Sequence, residues 1–450
     1  MRAAHPHDPN IPSPHHPSQG KGGCTVEELA IKGGPKSVPQ GLVKAWPPIT
    51  DDDKKAVLAV FDSGHLHGTA APQCVELQKE WAAFVGVKYC LACNSGTAAL
   101  HMCVAACEIG PGDEVIVPAF TYWSTAAAVL HHNAIPVFAD IDPRTFCIDP
   151  AKIEEKITSR TKAILPVHIH GMPADMDPVN AIAKKHNLAV IEDACQAHGA
   201  TYKGTMTGAL GTIAGFSTNR SKNLSGGEGG LVTTDDEKCW KIAAKLREFG
   251  EVVVKDKDRE YNAYGLGWMY RPHEFINAFL RSQLKRLPQH NAKRREMAGY
   301  LHEQLAKIPG VKPPYTPPEC NPCYFSYVVE FCPQEVGVDM TPGRFKAAAQ
   351  KALRAEGVGM GQWQQMPVPA QTVFQEKKGY GKGCPWTCRY GRDVQYRGED
   401  YPETVKFIDS HSYLGGVHPP NDMDLMQLYV KAFQKVFSRP KEWLHLADAK

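Results

Sequence analysis

The chain has no apolar run near the eighteen or so residues that a membrane span requires, and its N-terminus has no apolar signal core. It also has no dense Lys/Arg stripe interleaved with aromatics. With a formal net charge of only +3, nothing marks nucleic acid as a partner. Of the fourteen cysteines only the Cys384-Pro-Trp-Thr-Cys388 cluster, with Cys320, Cys323 and Cys332 upstream, invites a zinc reading, and its spacing is not the paired two-residue gap of a zinc ribbon, so no metal is expected. Scattered through strand and helix patterns of a large chain, those cysteines read as reduced, buried thiols. The expected location is therefore the cytoplasm, with neither membrane nor nucleic acid as partner.

What is present is an ordinary globular composition, 43% hydrophobic and 22% charged, over 450 residues, enough for more than one domain. Residues 1–25 hold four histidines among Pro, Ser, Gly and Asn and almost nothing apolar, which reads as a disordered leader. From Thr50 the pattern turns helical. Thr50-Asp-Asp-Asp53 is a capping-box-like start, Val57, Leu58, Val60 and Phe61 form a stripe, and Gly64 ends it. A second amphipathic helix is expected over about 74–85.

Beyond it, β-rich segments at about 87–93, 114–118, 135–140, 162–168, 188–193, 211–217 and 230–233 alternate with helical stretches such as Ala98–Cys107 and Ile153–Ile157. That alternation predicts an α/β fold with a mainly parallel sheet covered on both faces. Ligands bind such sheets beyond the carboxyl ends of the strands, so polar residues just after strands become the candidates. After Pro288 the pattern changes to a charged helix, a proline-rich link and Tyr324-Phe-Ser-Tyr-Val-Val-Glu330, which reads as an exposed antiparallel strand. The expected division is a large domain over 26–288 and a smaller α+β domain over 289–450.

Four signals fall at strand ends. In Cys93-Asn-Ser-Gly-Thr97-Ala-Ala-Leu100 a strand opens directly into a helix, and free N–H groups at Gly96, Thr97 and Ala98 make an anion cradle suited to phosphate; an ordinary Ser/Thr N-cap explains the motif equally well. Pro118-Ala-Phe-Thr-Tyr122-Trp offers an aromatic able to stack on a planar ring, although aromatics more often fill cores. Val190-Ile-Glu-Asp193-Ala-Cys-Gln196-Ala-His198 places a carboxylate at the mouth of an apolar strand, which is costly unless it meets a cation. The fourth is Lys222, between the apolar run ending at Ser217 and the Gly226-Gly-Glu-Gly-Gly230 cluster. An amine held there is either a solvated turn lysine or a desolvated one, and desolvation with a cationic neighbour would free its lone pair to form a Schiff base with an aldehyde. Phosphate cradle, stacking aromatic, strand-end Asp and strand-edge Lys, in that order, are the parts of a pyridoxal 5'-phosphate site.

The sequence resembles the DegT/StrS-type sugar aminotransferases, fold-type-I pyridoxal-phosphate enzymes, from about residue 29 to 437. The most specific pieces are Asn94-Ser-Gly-Thr, Pro118-Ala-Phe-Thr-Tyr, Val137-Phe-Ala-Asp-Ile-Asp142, Glu192-Asp-Ala-Cys-Gln-Ala-His-Gly199, and Lys222 followed by Gly227-Glu-Gly-Gly230. The resemblance implies that Lys222 carries the cofactor and shuttles the α-proton, that Asp193 keeps the pyridine nitrogen protonated, and that Gln196 bonds the phenolic oxygen. It further implies that Tyr122 stacks on the ring and that Gly96, Thr97 and Ser217 bind the phosphate, with His198 behind them or simply in the core.

The resemblance also implies a homodimer with its active site at the interface, and two-step transfer from glutamine or glutamate to a keto-cyclitol or keto-sugar. Leu29-Ala-Ile-Lys-Gly-Gly-Pro35, Trp46-Pro-Pro and Val417-His-Pro-Pro look most like the inosose-aminating branch. Nucleotide-linked keto-sugars are the runner-up acceptor, and a non-catalytic sensor on the same fold is the alternative from another class. Where the family has an Asn reaching the neighbour's phosphate, this chain has Met269, which cannot donate, leaving Trp268, Tyr270 or Arg271 as the replacements. The aromatic-rich stretch 357–418 is expected to shape the acceptor pocket, make the dimer contact or pack the small domain.

Overall fold

A computed structural model describes residues 27–253 and 258–448; the predicted leader, residues 1–25, lies outside them. All seven predicted strands form, and they join in one sheet. Its order across is Tyr89–Cys93, Gly230–Thr234, Ile213–Ser217, Ala189–Asp193, Thr161–Ile164, Glu114–Pro118 and Ile135–Ala139. Gly230–Thr234 pairs antiparallel with both neighbours and every other pairing is parallel.

Period-two alternation explains why helices cover both faces. Val115, Val117, Ile191 and Ile213 point into one core with the helices Gly96–Ala106, Ser124–His131 and Glu237–Arg247. Their neighbours point the other way: Cys90, Ala92, Ala214 and Phe216 meet Trp81 and Leu280 of the helices Pro72–Val85 and Glu274–Leu284, and Ile116, Ile164 and Val190 meet Val179 of Met176–His186.

The expected strand over 162–168 stops at Ile164, because Pro166 has no N–H to give; its carbonyl instead accepts from Asp193 N–H at 2.9 Å. The helix expected over 153–157 is two short 3-10 turns, Pro150–Lys152 and Glu154–Lys156. Thr50 and Asp53 do form a reciprocal capping box and Gly64 closes the helix at φ 67°, yet Leu58 and Phe61 of its stripe are 59% and 61% exposed.

The second sheet is antiparallel, in the order Val311–Lys312, Tyr327–Phe331, His411–Leu414 and Met360–Gly361. Strand Tyr327–Phe331 is central and buried, not exposed, since Leu287–Leu305, Pro342–Ala355 and Met423–Phe437 pack with it around Phe345 and Phe433. Leu29 and Val38 join the same core. The aromatic stretch divides among several places. Trp386 and Tyr396 sit on the outer strand of the first sheet, where Tyr396 donates to Pro136 O at 2.9 Å and accepts from Trp386 Nε1 at 2.9 Å. Tyr380 and Tyr390 stay exposed.

Candidate functional site

A cavity of about 720 Å³ opens at the carboxyl edge of the large sheet, and Gly96, Thr97, Tyr122, Asp193, Gln196, Ser217 and Lys222 all line it. The strand ends at Cys93, Asp193 and Ser217 come to that edge because their strands run the same way.

The cradle is built by a helix start. Ser95 is the N-cap of Gly96–Ala106, its Oγ accepting from Ala98 N–H at 3.1 Å, while Ala99 N–H bonds Ser95 O at 3.0 Å. Ala98, expected as a third donor to an anion, is therefore spent on the cap. The N–H groups of Gly96 and Thr97, the first two of the helix, have no intrahelical acceptor and stay open to an anion. A Cβ on Gly96 would lie 2.5 Å from Ser217 Cβ, so only glycine lets the helix start come this close to the strand that carries Ser217. Thr97 Oγ1 pairs with Ser124 Oγ at 2.7 Å, which ties the cradle to the next helix.

Asp193 is buried at 4% exposure, and both its oxygens accept hydrogen bonds, Oδ1 from Cys195 N–H at 3.1 Å and Oδ2 from Thr125 Oγ1 at 2.7 Å. Thr121 shares a 2.7 Å bond with Thr125, so two hydroxyls in series fix where the carboxylate points. Sequence reading missed Ser124 and Thr125. Two hydroxyls opening the otherwise apolar helix Ser124–His131 were the available signal. Next to Asp193, the Glu192 carboxylate turns away and is satisfied by three backbone N–H groups, of Gly208, Leu210 and Gly211, and by His168 Nε2.

Lys222 lies in the loop between Ser217 and Gly230. Its N–H bonds Asn219 O at 2.9 Å, its carbonyl accepts from Trp46 Nε1 at 2.9 Å, and its amine sits 4.5 Å from the centre of the Phe325 ring. Burial pushes the amine below the ordinary lysine range, against the opposing pull of Cys195 and Asp193. No cationic neighbour contributes, contrary to the sequence expectation; desolvation alone does it.

Gln196 is oriented by His170 N–H, which donates to its Oε1 at 2.7 Å and leaves the amide nitrogen free for a ligand. Tyr122 stands at the mouth, 59% exposed, its ring 6.3 Å from that of Trp363. His198 does not line the cavity. It is wedged between Trp81 and Phe216 in the core, where burial pushes its ring down to about 3. Trp268 and Tyr270 pack on His101, Arg271 on Phe249, and Met269 is 49% exposed; none of the four lines the cavity of its own chain.

The sequence pattern of the DegT/DnrJ/EryC1/StrS aminotransferase family matches residues 47–394. A GDP-perosamine synthase of Caulobacter vibrioides is 43% identical over 264 residues, 59% of this chain and 70% of that protein. An L-glutamine:2-deoxy-scyllo-inosose aminotransferase of Streptomyces lividus is 39% identical over 287 residues, 61% of this chain and 68% of that one. Among solved structures, DesV of S. venezuelae in complex with a ketimine intermediate superposes with a TM-score of 0.74 at 29% identity, covering 86% of this chain and 95% of its own.

Proposed function

Because the chain belongs to the DegT/DnrJ/EryC1/StrS aminotransferase family, we propose that it carries an amino group from glutamine or glutamate to the carbonyl of a keto-cyclitol or keto-sugar in two half-reactions. It is a pyridoxal-phosphate-dependent transaminase. One observation carries the reading of the site: a desolvated lysine amine, a buried and hydroxyl-oriented carboxylate and an anion cradle that a Cβ would obstruct all line one cavity.

These residues fit the cofactor. Gly96 and Thr97 N–H and Ser217 Oγ would hold its phosphate, Asp193 would keep its ring nitrogen protonated, Gln196 Nε2 would bond its phenolic oxygen, and Tyr122 would stack on its ring. The bound group supplies an electron sink for the pair left on the donor's α-carbon. Lys222 Nζ would hold the cofactor at rest and, once displaced by the donor's amine, would take the α-proton and return it; its lowered basicity suits both directions. Thr125 and Thr121 keep the Asp193 carboxylate aimed throughout.

A keto-cyclitol acceptor is supported by two of the inosose-like segments, Trp46-Pro-Pro and Val417-His-Pro-Pro, which meet beside the cavity, where the Trp46 and His418 rings lie 5.7 Å apart. A nucleotide-linked keto-sugar is the second reading. The GDP-perosamine synthase relative favours it, as does an adjoining space of about 760 Å³ lined by Trp46, Asn219 and Arg220.

A homodimer is supported by apolar side chains that one chain leaves bare, among them Leu58, Phe61, Leu66 and Met269. Free thiols at every described cysteine accord with the cytoplasm. The proposed division is a large domain over 26–288 and a small one over 289–450, with Leu29 and Val38 packing into the second core and Trp386 and Tyr396 into the first. The test is a half-reaction. Holoenzyme is mixed with glutamine, glutamate or alanine, keto-acid release is measured, and keto-cyclitols and nucleotide-linked keto-sugars are then screened as acceptors. Keto-acid release with no acceptor of either kind aminated would refute the proposed activity.

A further inference from the structure

Arg294 lies on helix Leu287–Leu305, is 3% exposed, and lines both the main cavity and the space adjoining it. It forms no ion pair among the described residues. Nη1 donates to Val417 O at 3.3 Å, and Nε has no acceptor at all. A guanidinium carries five N–H donors, so most of its capacity is unspent.

Its surroundings supply no counter-charge. The guanidinium stacks on the Trp46 ring at 4.5 Å, and that ring is flanked by His290 and His418, both held neutral because burial pushes each down to about 4. Glu228 lines the same cavity, but it is exposed and its Oε1 accepts from Asn219 Nδ2 at 2.9 Å. A buried, unpaired cation is costly to keep, and a substrate oxyanion would remove that cost on binding. Arg294 lines the same cavity as Lys222, and the indole on which it stacks donates through Nε1 to the Lys222 backbone carbonyl, which ties the two residues through one ring. An amino acid places its carboxylate one carbon from the nitrogen it gives up, whereas the diphosphate of a sugar nucleotide lies a whole ring away from the reacting carbon.

We propose that Arg294 receives the α-carboxylate of the amino donor and is the residue that restricts the first half-reaction to amino acids. This rests on the transaminase reading above. Planar guanidinium and planar carboxylate pair through two parallel bonds, while Trp46 and Val417 O fix the plane in advance.

The test uses holoenzyme carrying Arg294→Met or Arg294→Lys, with glutamine and its decarboxylated counterpart 4-aminobutanamide as donors. Arg294→Met should raise the KM for glutamine on the order of a hundredfold, as expected for truncating one partner of a buried charge pair. Its KM for the acceptor and its affinity for the cofactor should stay within about twofold of wild type, and its preference for glutamine over 4-aminobutanamide should largely vanish. Arg294→Lys should recover part of the loss. A folded Arg294→Met enzyme with an unchanged glutamine KM overturns the proposal. So does one whose only change is a raised KM for a nucleotide-linked acceptor, which would assign the arginine to the diphosphate.

If Arg294→Met does not fold, acetate on the wild type decides: competition against glutamine but not against the acceptor supports the site, and its absence overturns it. A wild type that releases no keto acid from any amino acid sinks the transaminase reading itself, a result distinct from any Arg294 phenotype.

Discussion

Gly96→Ala is the smallest change that tests the cradle. The added Cβ would lie 2.5 Å from Ser217 Cβ and 3.0 Å from Ser217 Cα, so rotating the serine side chain cannot relieve the clash. Ordinary contact begins near 3.4 Å, which means the helix start and the strand end must part by about 0.9 Å. Overpacking of that kind costs about 1–3 kcal/mol of stability. The same movement takes the Gly96 and Thr97 N–H groups off the phosphate. Each charge-assisted bond is worth about 1.5–3 kcal/mol, and 1.4 kcal/mol is tenfold, so weakening the pair by the worth of one bond should lower cofactor affinity about 10- to 100-fold. Absorbance titration of apoenzyme with pyridoxal phosphate reads the affinity, and a thermal melt of the apoenzyme reads the stability. Gly299→Ala is the control, because nothing stands within 4 Å of its new Cβ and it lies within a helix, so the apoenzyme should be stabilised or unchanged. Cofactor binding by Gly96→Ala within threefold of wild type would show that the phosphate does not sit between this helix start and Ser217.

Lys222→Ala should abolish amino transfer and prevent borohydride from fixing the cofactor to the protein. The apoenzyme should melt no lower than wild type, because a desolvated amine adds nothing to the fold; turnover near the wild-type rate would remove Lys222 from the chemistry. Asp193→Asn should lower the rate by roughly a hundredfold or more with cofactor still bound, and an unaltered rate would take Asp193 out of the site. Acid should unfold the protein early. His101, His170, His198 and His411 are buried and pushed down to about 3, chiefly by desolvation, so the unfolded chain takes up these protons below its ordinary 6.5 and the folded chain does not. Stability is then lost as pH falls through that window, about 2 kcal/mol per histidine at pH 5, and four such losses rival a typical total of about 5–15 kcal/mol. Denaturant midpoints that stay level between pH 7 and pH 5 would contradict this.

The strands could be read from the sequence because a sheet buried on both faces leaves continuous apolar runs, and the seven cavity-lining residues because each stands at a strand's carboxyl end or within five residues of it. Distances between chain segments could not be read. Nothing local in Ser124-Thr125 shows that one hydroxyl will meet Thr97 and the other Asp193, 68 residues on. Arg294 looks like any charge on a polar helix until the fold strips away its partners. The stripe at Leu58 and Phe61 reads as apolar in the sequence and yet stays exposed in the structure, since periodicity reports that a face is apolar and not what covers it. Ala98 was lost as a phosphate donor because Ser95 caps it, and the same residue pattern serves an anion or a cap until coordinates show where the Oγ points.

The direction of one strand explains why the lysine stands where it does. In an all-parallel sheet a chain leaving the carboxyl edge must cross to the far edge before it can pair again, and whatever lies in between is carried away from the site. Gly230–Thr234 runs against its neighbours, so the segment from Thr218 to Gly229 leaves at the carboxyl edge and re-enters there. Pinned at both ends, with Arg220 N–H on Gly227 O at 2.7 Å and Thr218 N–H on Gly229 O at 2.8 Å, the loop cannot carry Lys222 far from Asp193. Gly229, at φ 129° with Thr218 Oγ1 only 2.5 Å from where a Cβ would be, is what allows so tight a return. The glycine cluster after the lysine is therefore part of the catalytic geometry. A side chain at 229 would widen the loop and move the amine, lowering turnover while leaving Lys222, Asp193 and the cradle residues unaltered in identity.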